Sequence, residues 1–173
     1  MKSLLLQDET TTPLGLAKAG EPVEGVQKLI ACPDLASAGQ AAVGITLKWT
    51  HSESRFSVEQ YSAIYQGISG KDVVEQVRTA SSTCQRGPNA VPLTLEVDEY
   101  FYSQEGLPMT KPYVDRYSYC VINYFRERRT CTSVLAKGDR VTRVTVDSPA
   151  ERVDGKSFDF APLAQAVTDR LVA

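Results

Sequence analysis

Histidine, methionine and tryptophan are scarce in this chain, whose 173 residues include one His, two Met and one Trp. Because His51 is the only imidazole, a zinc site built from several histidines cannot be assembled. Long apolar runs are missing too: none approaches the roughly 20 residues of a membrane span, and Leu4 to Leu6 is too short even for the core of a signal peptide. We therefore expect no metal and no cofactor, and no membrane-spanning segment within these residues.

A basic excess is missing as well. Nineteen Lys and Arg stand against 21 Asp and Glu, for a formal charge of −2, so there is no surplus of cations to neutralise a phosphate backbone. Nucleic acid is therefore not an expected partner. The composition, 42% hydrophobic and 23% charged, is ordinary for a globular protein, and a chain of this length normally forms one domain. We predict a single domain over residues 1–173.

Four cysteines are widely spaced, and no C-x-x-C pair suggests a zinc ribbon or a thioredoxin-type site. Two disulfides are the simplest interpretation of Cys32, Cys84, Cys120 and Cys131. Three connectivities are open; we favour Cys32 with Cys84 and Cys120 with Cys131. The alternative is four buried free thiols in a cytosolic protein. Disulfides predict an oxidising, extracytoplasmic compartment, and the natural precursor would then begin with a targeting segment before Met1.

Alternation of apolar and polar residues predicts the strands, and a spacing of three to four predicts the helices. The predicted strands cover residues 42–49, 55–65, 93–97, 117–125, 130–135 and 141–146, the last two joined by a turn at Gly138-Asp139. The predicted helices run from Gly70 to about Thr83 and from Asp159 towards the end of the chain. Before residue 40 we expect short helical turns, one of them carrying Val26, Leu29 and Ile30. This order predicts an α+β fold, a single domain in which helices pack on one face of an antiparallel sheet.

Two motifs resemble catalytic or phosphate-binding signatures. Residues 67–71 (G-I-S-G-K) resemble a phosphate-binding loop, but the glycine spacing is short, and Ser69 is better interpreted as the cap of the following helix. His51 is followed by Ser52 and Glu53, so a serine hydrolase is an alternative; no G-x-S-x-G elbow accompanies these residues. A solvated loop histidine is the plainer interpretation. We expect no catalytic residues.

Two groups of charged residues could each be either a ligand site or an ordinary solvated surface. Glu96 and Asp98 share one face of a predicted strand, with Glu99 beside them, as in a carboxylate pair or the beginning of a calcium site. Such a face is more often the solvated side of a strand. Residues 126–129 place three arginines around Glu127 at a predicted hairpin tip, where an anion site or ordinary solvation would fit.

Tyrosine is the least ordinary feature of the sequence, because all eight tyrosines fall on or beside predicted strands. Aromatic residues on strands usually pack in the core. If some of them line a concave face of the sheet, they would offer apolar walls with hydroxyl groups suited to a small molecule or peptide. The ligand-binding candidates are Tyr61, Tyr65, Tyr117 and Tyr119.

With these elements assigned, the chain resembles the PknH-like extracellular domain family, which comprises sensor regions of actinobacterial receptor kinases and related cell-envelope lipoproteins. Its matching segments are residues 4–15, Ala31-Cys32-Pro33, the strand and helix over 56–84, Arg129-Thr130-Cys131 and the valine-rich strand over 141–146 with the last helix. The resemblance implies a twisted antiparallel sheet backed by helices, a cleft, two disulfides and a membrane tether that this sequence does not contain. It implies no established reaction, and of the family's features only the cysteines carry over residue by residue.

The expected function is therefore an extracytoplasmic ligand-binding or sensing domain of a cell-envelope lipoprotein, without catalysis. Its partner would be a small molecule, a peptide or an envelope protein, and it would meet the membrane only through the tether. Two alternatives remain open. One is a secreted hydrolase centred on His51 or on the face of Glu96 and Asp98, and the other is a protein-interaction module with a sizeable exposed apolar patch.

Overall fold

A computed structural model describes residues 1–30, 35–51, 55–84, 94–96, 114–123, 128–149 and 161–173. Within these ranges, the side chains of residues 82–84, 94–96, 120–123 and 161–162 lie outside the description. No helix in the described ranges is both long enough and apolar enough to span a membrane.

The described residues form strands and helices in the order that the sequence predicts, with additions near the N-terminus. The strands are β1 (Leu16–Lys18), β2 (Val23–Glu24), β3 (Ala41–His51), β4 (Ser57–Tyr65), β5 (Thr94–Glu96), β6 (Asp115–Asn123), β7 (Arg128–Lys137) and β8 (Arg140–Pro149). The helices are α1 (Asp8–Thr11), α2 (Gly70–Cys84) and α3 (Ala161–Val172), with 3-10 turns at Lys2–Leu4, Thr12–Leu14 and Ala38–Gln40. The predicted long helix, the terminal helix and the six strands are confirmed over these residues, as are short helical turns before residue 40 other than the one predicted at Leu29 and Ile30.

All the strands belong to one antiparallel sheet with the order β1-β3-β4-β8-β7-β6-β5, and β2 pairs with β3. The strands β1 and β2 both lie along the free edge of β3, where they act as one interrupted edge strand. The strands β6, β7 and β8 form the meander that the sequence predicts. A single antiparallel sheet in the α+β class is therefore confirmed.

The prediction that the helices pack on one face of the sheet is wrong, because the two long helices cover opposite faces. On the α2 face, Val73, Val74 and Val77 pack with Val134 of β7. On the α3 face, the helix packs with Leu135, the next residue of β7. Successive residues of a strand point to opposite faces. Because β7 places apolar residues on both faces of the sheet, a helix is needed to cover each face.

The start of α2 is the turn and cap that we favoured for residues 67–71. Ser69 caps the helix: the Asp72 N–H donates to Ser69 Oγ at 3.2 Å, and Ser69 Oγ donates back to Asp72 Oδ2 at 2.7 Å. Gly70 N–H donates to the carbonyl of Gly138 in the β7–β8 turn at 2.6 Å. A Cβ on Gly70 would lie 2.7 Å from the Ala136 Cβ, so glycine is required for this close approach.

The prediction for residues 26–30 is confirmed only in part. Leu29 and Ile30 are buried in the core on the α2 face, as expected, but Val26 is 50% exposed and the segment has no helical turn. Gly25 has a φ of 141°, a region that favours glycine, and it starts a run that crosses the α2 face in an irregular conformation. The short strands β1 and β2 were not predicted, since their Gly- and Pro-rich surroundings indicate turns.

A buried glutamine fastens the N-terminal segment to the α3 face. The Leu6 N–H donates to Gln60 Oε1 at 2.8 Å, and Gln60 Nε2 donates to the Leu4 carbonyl at 2.8 Å. Gln60 Nε2 also lies 3.2 Å from Ser62 Oγ, which is 2.9 Å from Thr142 Oγ1. Gln60, Ser62 and Thr142 are fully buried. Burying an amide is costly unless it is hydrogen-bonded. The bonds of Gln60 therefore favour the one position of the N-terminal segment in which the Leu6 N–H and the Leu4 carbonyl meet its side chain.

We predict that Gln60→Met destabilises the protein by about 2–4 kcal/mol, because it leaves the Leu6 N–H and the Leu4 carbonyl buried without their partner. The matched control is Gln165→Met on α3, whose half-buried amide donates to the Asp169 side chain of the same helix and whose loss should cost within about 0.5 kcal/mol. Urea unfolding measures both free energies of unfolding. Equal losses in the two variants would contradict the role given to Gln60.

Candidate functional site

The four candidate tyrosines lie together on the α2 face. Tyr61 and Tyr65 come from β4, and Tyr117 and Tyr119 from β6; the core cluster on this face contains the first three and packs against the fourth. Tyr61, Tyr65 and Tyr117 are buried, with 0%, 3% and 8% of their surface exposed, whereas Tyr119 is half-buried. Tyr100, Tyr102, Tyr113 and Tyr124 lie outside the described residues.

These four tyrosines are called the tyrosine group; two of them contact each other along β6, and two contact arginines. The Tyr117 and Tyr119 rings are 5.9 Å apart at 30°, and the Arg78 guanidinium of α2 lies 5.1 Å from the centre of the Tyr117 ring, within the range of a cation–π contact. Across the sheet, Tyr61 is paired with Arg143 of β8. The Arg143 guanidinium lies 5.6 Å from the centre of the Tyr61 ring.

Arg143 is the centre of the hydrogen bonding on this face. Its Nη2 donates to Glu59 Oε1, and its Nη1 donates to the carbonyls of Lys28 at 2.7 Å and Leu29 at 3.3 Å. Glu59 also pairs with Lys48, whose Nζ is 2.9 Å from Glu59 Oε2. Only 12% of the Arg143 side chain is exposed, so these bonds offset the cost of burying its charge.

Residues 25–30, called the strap below, cross this face and are held by it. Besides the two carbonyls bound by Arg143, the Gln27 N–H donates to the Tyr61 hydroxyl at 3.1 Å. A Cβ on Gly44 of β3 would lie 2.6 Å from the Gly25 carbonyl oxygen and 2.7 Å from the Tyr61 hydroxyl oxygen. A glycine at position 44 therefore lets the strap and the Tyr61 ring meet over β3.

Beyond Arg143 the α2 face becomes polar. Lys48, Glu59, Thr145, Thr132 and Tyr119 form one row across β3, β4, β8, β7 and β6. Asp147 and Thr130 continue the pattern in the next row, and Arg128 reaches Asp147 from the end of β7. These eight residues are called the polar floor. Most of them are half-buried, which gives a hydrogen-bonding surface next to the tyrosine group.

The hydroxyls and ion pairs of the polar floor bond to each other. Thr132 Oγ1 and Thr145 Oγ1 are 3.3 Å apart. Thr130 Oγ1 donates to Asp147 Oδ1 at 2.9 Å, and Arg128 donates to Asp147 Oδ2 from Nε at 3.1 Å and from Nη2 at 2.5 Å. This bonding fixes the directions of the side chains before any ligand arrives.

Burial keeps the tyrosine hydroxyls protonated. It raises the pKa of Tyr119, and the hydrogen bond to Thr132 and the positive charge of Arg143 oppose that shift. It likewise raises the pKa of Tyr61 against the hydrogen bond from Gln27, and the pKa of Tyr65, which the neighbouring Tyr61 raises further. Neutral hydroxyls both donate and accept hydrogen bonds, so these tyrosines are hydrogen-bonding groups and not ionised nucleophiles near neutral pH.

Of the residues in the hydrolase alternative, the side chain of His51 is described. The His51 ring packs 4.6 Å from the Phe56 ring, and a Cβ on Gly15 would lie 2.6 Å from His51 Nε2. Ser52 and Glu53 lie outside the described residues. Glu96 belongs to β5, but its side chain is outside the description, as are Asp98 and Glu99.

The arginine group at residues 126–129 is described only from Arg128 onward. Arg128 is bound to Asp147, as above, and its Nη1 donates to the Arg55 carbonyl at 2.7 Å. The positive charge of Arg128 is therefore paired with a carboxylate of the fold. This contact favours a structural role for Arg128 over the anion site, in which its guanidinium would face a ligand.

The cysteines are described only in part. The Cys131 sulfur is disulfide-bonded, and none of the described cysteines is free. In the sheet, Cys120 of β6 is the register partner of Cys131. Cys84 ends α2 without a described side chain, and Cys32 lies outside the described residues.

Sequence reasoning missed Arg143, Glu59 and the threonines of the polar floor. A signal was present on β8, where Arg143 and Thr145 alternate with the buried valines Val144 and Val146. Alternation indicates which face a residue joins, but it does not indicate which strand is its neighbour. For that reason the row from Lys48 to Tyr119 could not be assembled from the sequence.

Comparison with known proteins identifies the fold but no family. No protein-family model matches the sequence, and no curated protein matches it. Among solved structures, the crystal structure of the extracellular domain of PknH from Mycobacterium tuberculosis is similar, with a TM-score of 0.57 and 11% sequence identity. The match covers 100% of this chain and 95% of that chain. The expected PknH-like fold is therefore confirmed.

The raised tyrosine pKa values predict a loss of stability at high pH. An unfolded tyrosine ionises near pH 10, so above about pH 10 the folded state, in which Tyr65 stays protonated, binds more protons than the unfolded state. The stabilisation from Tyr65 is complete below the unfolded pKa and is lost as pH rises through the folded pKa. We expect Tyr65→Phe to reduce the fall in the free energy of unfolding between about pH 9 and about pH 11. An unchanged slope in urea-unfolding experiments would refute the assignment to Tyr65.

The contacts of Arg143 predict that it holds the strap in place. Arg143→Met keeps much of the aliphatic stem but removes the bonds to the two carbonyls and to Glu59, so we expect a loss of about 2 kcal/mol and faster hydrogen exchange at the Gln27 amide. Arg140→Met, at an exposed position on the same strand, is the control and should change stability by less than about 0.5 kcal/mol. Unchanged exchange at Gln27 in Arg143→Met would show that the strap is held by other contacts.

Proposed function

We propose that this chain is an extracytoplasmic ligand-binding or sensing domain of a cell-envelope protein, with no catalytic step. The observation that carries the proposal is the likeness in fold to the extracellular domain of PknH, which extends over the whole chain. Because a fold does not by itself define a function, the rest of the proposal depends on particular residues. A lipid-anchored form and an actinobacterial source, which the sequence resemblance implies, are part of the same proposal.

The cysteines support an oxidising compartment. Cys131 is disulfide-bonded, and its register partner Cys120 is the natural mate, since directly opposed residues of antiparallel strands have Cα atoms about 4.5–5.5 Å apart, a separation that a disulfide spans. The proposed second bond joins Cys32 to Cys84 of α2. It is supported by the residues that flank Cys32: Ile30 packs in the core cluster of α2, and the Ser37 N–H donates to Gln76 Oε1 of that helix at 2.9 Å.

The tyrosine group and the polar floor support ligand binding on the α2 face. In this proposal a ligand contacts the half-buried Tyr119 and the floor beside it. The buried Tyr117 lies beside Tyr119, while Tyr61 and Tyr65 are buried further along the same face. Aromatic walls with a few oriented polar groups are typical of small-molecule sites.

A second candidate function, a protein-interaction module, is favoured by one observation at the edge of the sheet. Val23 of β2, Val26 of the strap and Val43 of β3 are 62%, 50% and 40% exposed, and β2 lies on the outer side of β3. Exposed apolar residues beside an edge strand are typical of surfaces that other chains join. The two functions differ in whether a small molecule occupies the α2 face.

The test is the intact mass of protein made in an oxidising compartment, measured under native and then denaturing, non-reducing conditions. We expect a denatured mass about 4 Da below the fully reduced mass, as two disulfides require, and extra mass in the native spectrum from a carried ligand. Tyr119→Ser should lose the extra mass, whereas Tyr65→Phe, which removes only a buried hydroxyl, should retain it.

Each part of the proposal can fail separately in this experiment. Four free thiols would contradict the extracytoplasmic location. Two disulfides without carried mass would contradict a ligand that survives purification and favour the interaction module, in which Val23→Ser and Val26→Ser rather than Tyr119→Ser would impair function. Carried mass that persists in Tyr119→Ser would contradict the placement of the ligand on the α2 face.

A further inference from the structure

We propose that the ligand of the polar floor is a neutral, polyhydroxylated molecule, a saccharide of at least two rings. This inference rests on the proposed function, because it assigns a ligand class to the same face. Three properties of the polar floor carry it: the balance of its charges, the row of threonine hydroxyls and the position of Tyr119.

The charges of the polar floor are already paired with each other. Glu59 forms ion pairs with Lys48 and Arg143. Asp147 accepts hydrogen bonds from Arg128 and from the Thr130 hydroxyl. An anionic ligand would have to displace a carboxylate from its cations, and a cationic ligand would face those cations. A neutral ligand leaves both networks intact, which is electrostatically the least costly outcome.

The ion pairs can nevertheless take part in binding. The side chains of Glu59 and Asp147 are 27% and 39% exposed, and an ionised carboxylate has about four acceptor positions, more than the bonds above occupy. The Lys48 side chain is 61% exposed, and its ammonium group has three donor hydrogens, more than its pair with Glu59 occupies. Acceptors and donors that remain next to each other suit hydroxyl groups, which need both.

The threonines supply the same chemistry between the ion pairs. Thr145 and Thr132 lie side by side on β8 and β7, between Glu59 on β4 and Tyr119 on β6. A hydroxyl can donate one hydrogen bond and accept two, so the half-buried Thr145 has capacity beyond the Thr132–Thr145 contact, while the buried Thr132 also bonds to Tyr119 and holds the row together. Thr130 repeats this arrangement one row further along β7. A ligand with several hydroxyls would match this pattern, whereas a ligand with one polar group would leave most of it unused.

The shape of the polar floor fits more than one sugar ring. From Glu59 to Tyr119 there are three steps between neighbouring strands, about 14 Å in all, and the two rows are about 7 Å apart along the strands. At one end of the longer row, the half-buried Tyr119 ring provides an apolar surface for the C–H face of a sugar, while its hydroxyl remains a hydrogen-bonding group.

The experiment is ligand-observed saturation-transfer NMR on the full chain with maltose, cellobiose and lactose, and with methyl phosphate, whose methyl protons report the transfer, as the anionic probe. We expect transfer to at least one disaccharide and none to methyl phosphate. Thr145→Val removes one floor hydroxyl while keeping a β-branched side chain, and should weaken disaccharide binding about tenfold, as the loss of one hydrogen bond implies.

Thr168→Val is the matched control. Thr168 lies on α3 and its hydroxyl donates to the Ala164 carbonyl of its own helix at 2.9 Å, so binding should not change. Thermal unfolding of both variants confirms that each is folded before it is compared.

The remaining outcomes overturn the inference. Transfer to methyl phosphate, or disaccharide binding that is equal in Thr145→Val and wild type, would overturn the saccharide assignment. If the native mass spectrum shows a carried ligand but no disaccharide binds, the saccharide assignment fails while the proposed ligand-binding function stands. If neither experiment detects a ligand, both fail.

Discussion

The pairing of β4 with β8 joins the two halves of the sheet, and the rest of the structure depends on its register. Eight residue pairs, from Ser57 with Asp147 to Ile64 with Arg140, connect strands that are more than 70 residues apart in the chain. On one face this register sets Tyr61 beside Arg143 and Glu59 beside Thr145. A slip of one residue would exchange the faces of a strand, so the buried residues on both faces specify the pairing.

Buried polar residues fix irregular segments of the chain onto both faces of that pairing. On the α3 face, Gln60 bonds to the backbone of Leu4 and Leu6; on the α2 face, Arg143 bonds to the carbonyls of Lys28 and Leu29. In each case a side chain from the centre of the sheet satisfies backbone groups that lie outside any strand or helix. Such groups are costly to bury without a partner, so these two residues determine where the N-terminal half of the chain can lie.

The same geometry divides the α2 face into an apolar part and a polar part. Under α2, the residues of the sheet are small or aromatic and form a core cluster. Past Arg143 the rows consist of charged and hydroxyl side chains, which remain half-buried and bonded to one another. Tyr119 lies where the two parts meet. That boundary gives the proposed ligand site both an apolar contact and a set of oriented polar groups.

Much of the local structure could be predicted from the sequence. Alternation predicted β3, β4 and β8, the Ser69 cap predicted the start of α2, and Gly138-Asp139 predicted the tight turn between β7 and β8. These features depend on residues that are close in sequence. The prediction of helices on one face failed although the apolar residues on both parities of the strands were visible, because the sequence does not say where α2 and α3 cross the sheet.

The candidate site shows the same limit. The sequence by itself determined that Tyr61, Tyr117 and Tyr119 belong to strands, since a period of two is a local property of each strand. Only the tertiary structure decided that Tyr61 and Tyr117 are buried, that Tyr119 borders a polar surface, and that Arg143 and Glu59 meet there. Those facts depend on which strands are neighbours and in which register, and that choice is made by long-range burial of both faces of the sheet, which no local pattern records.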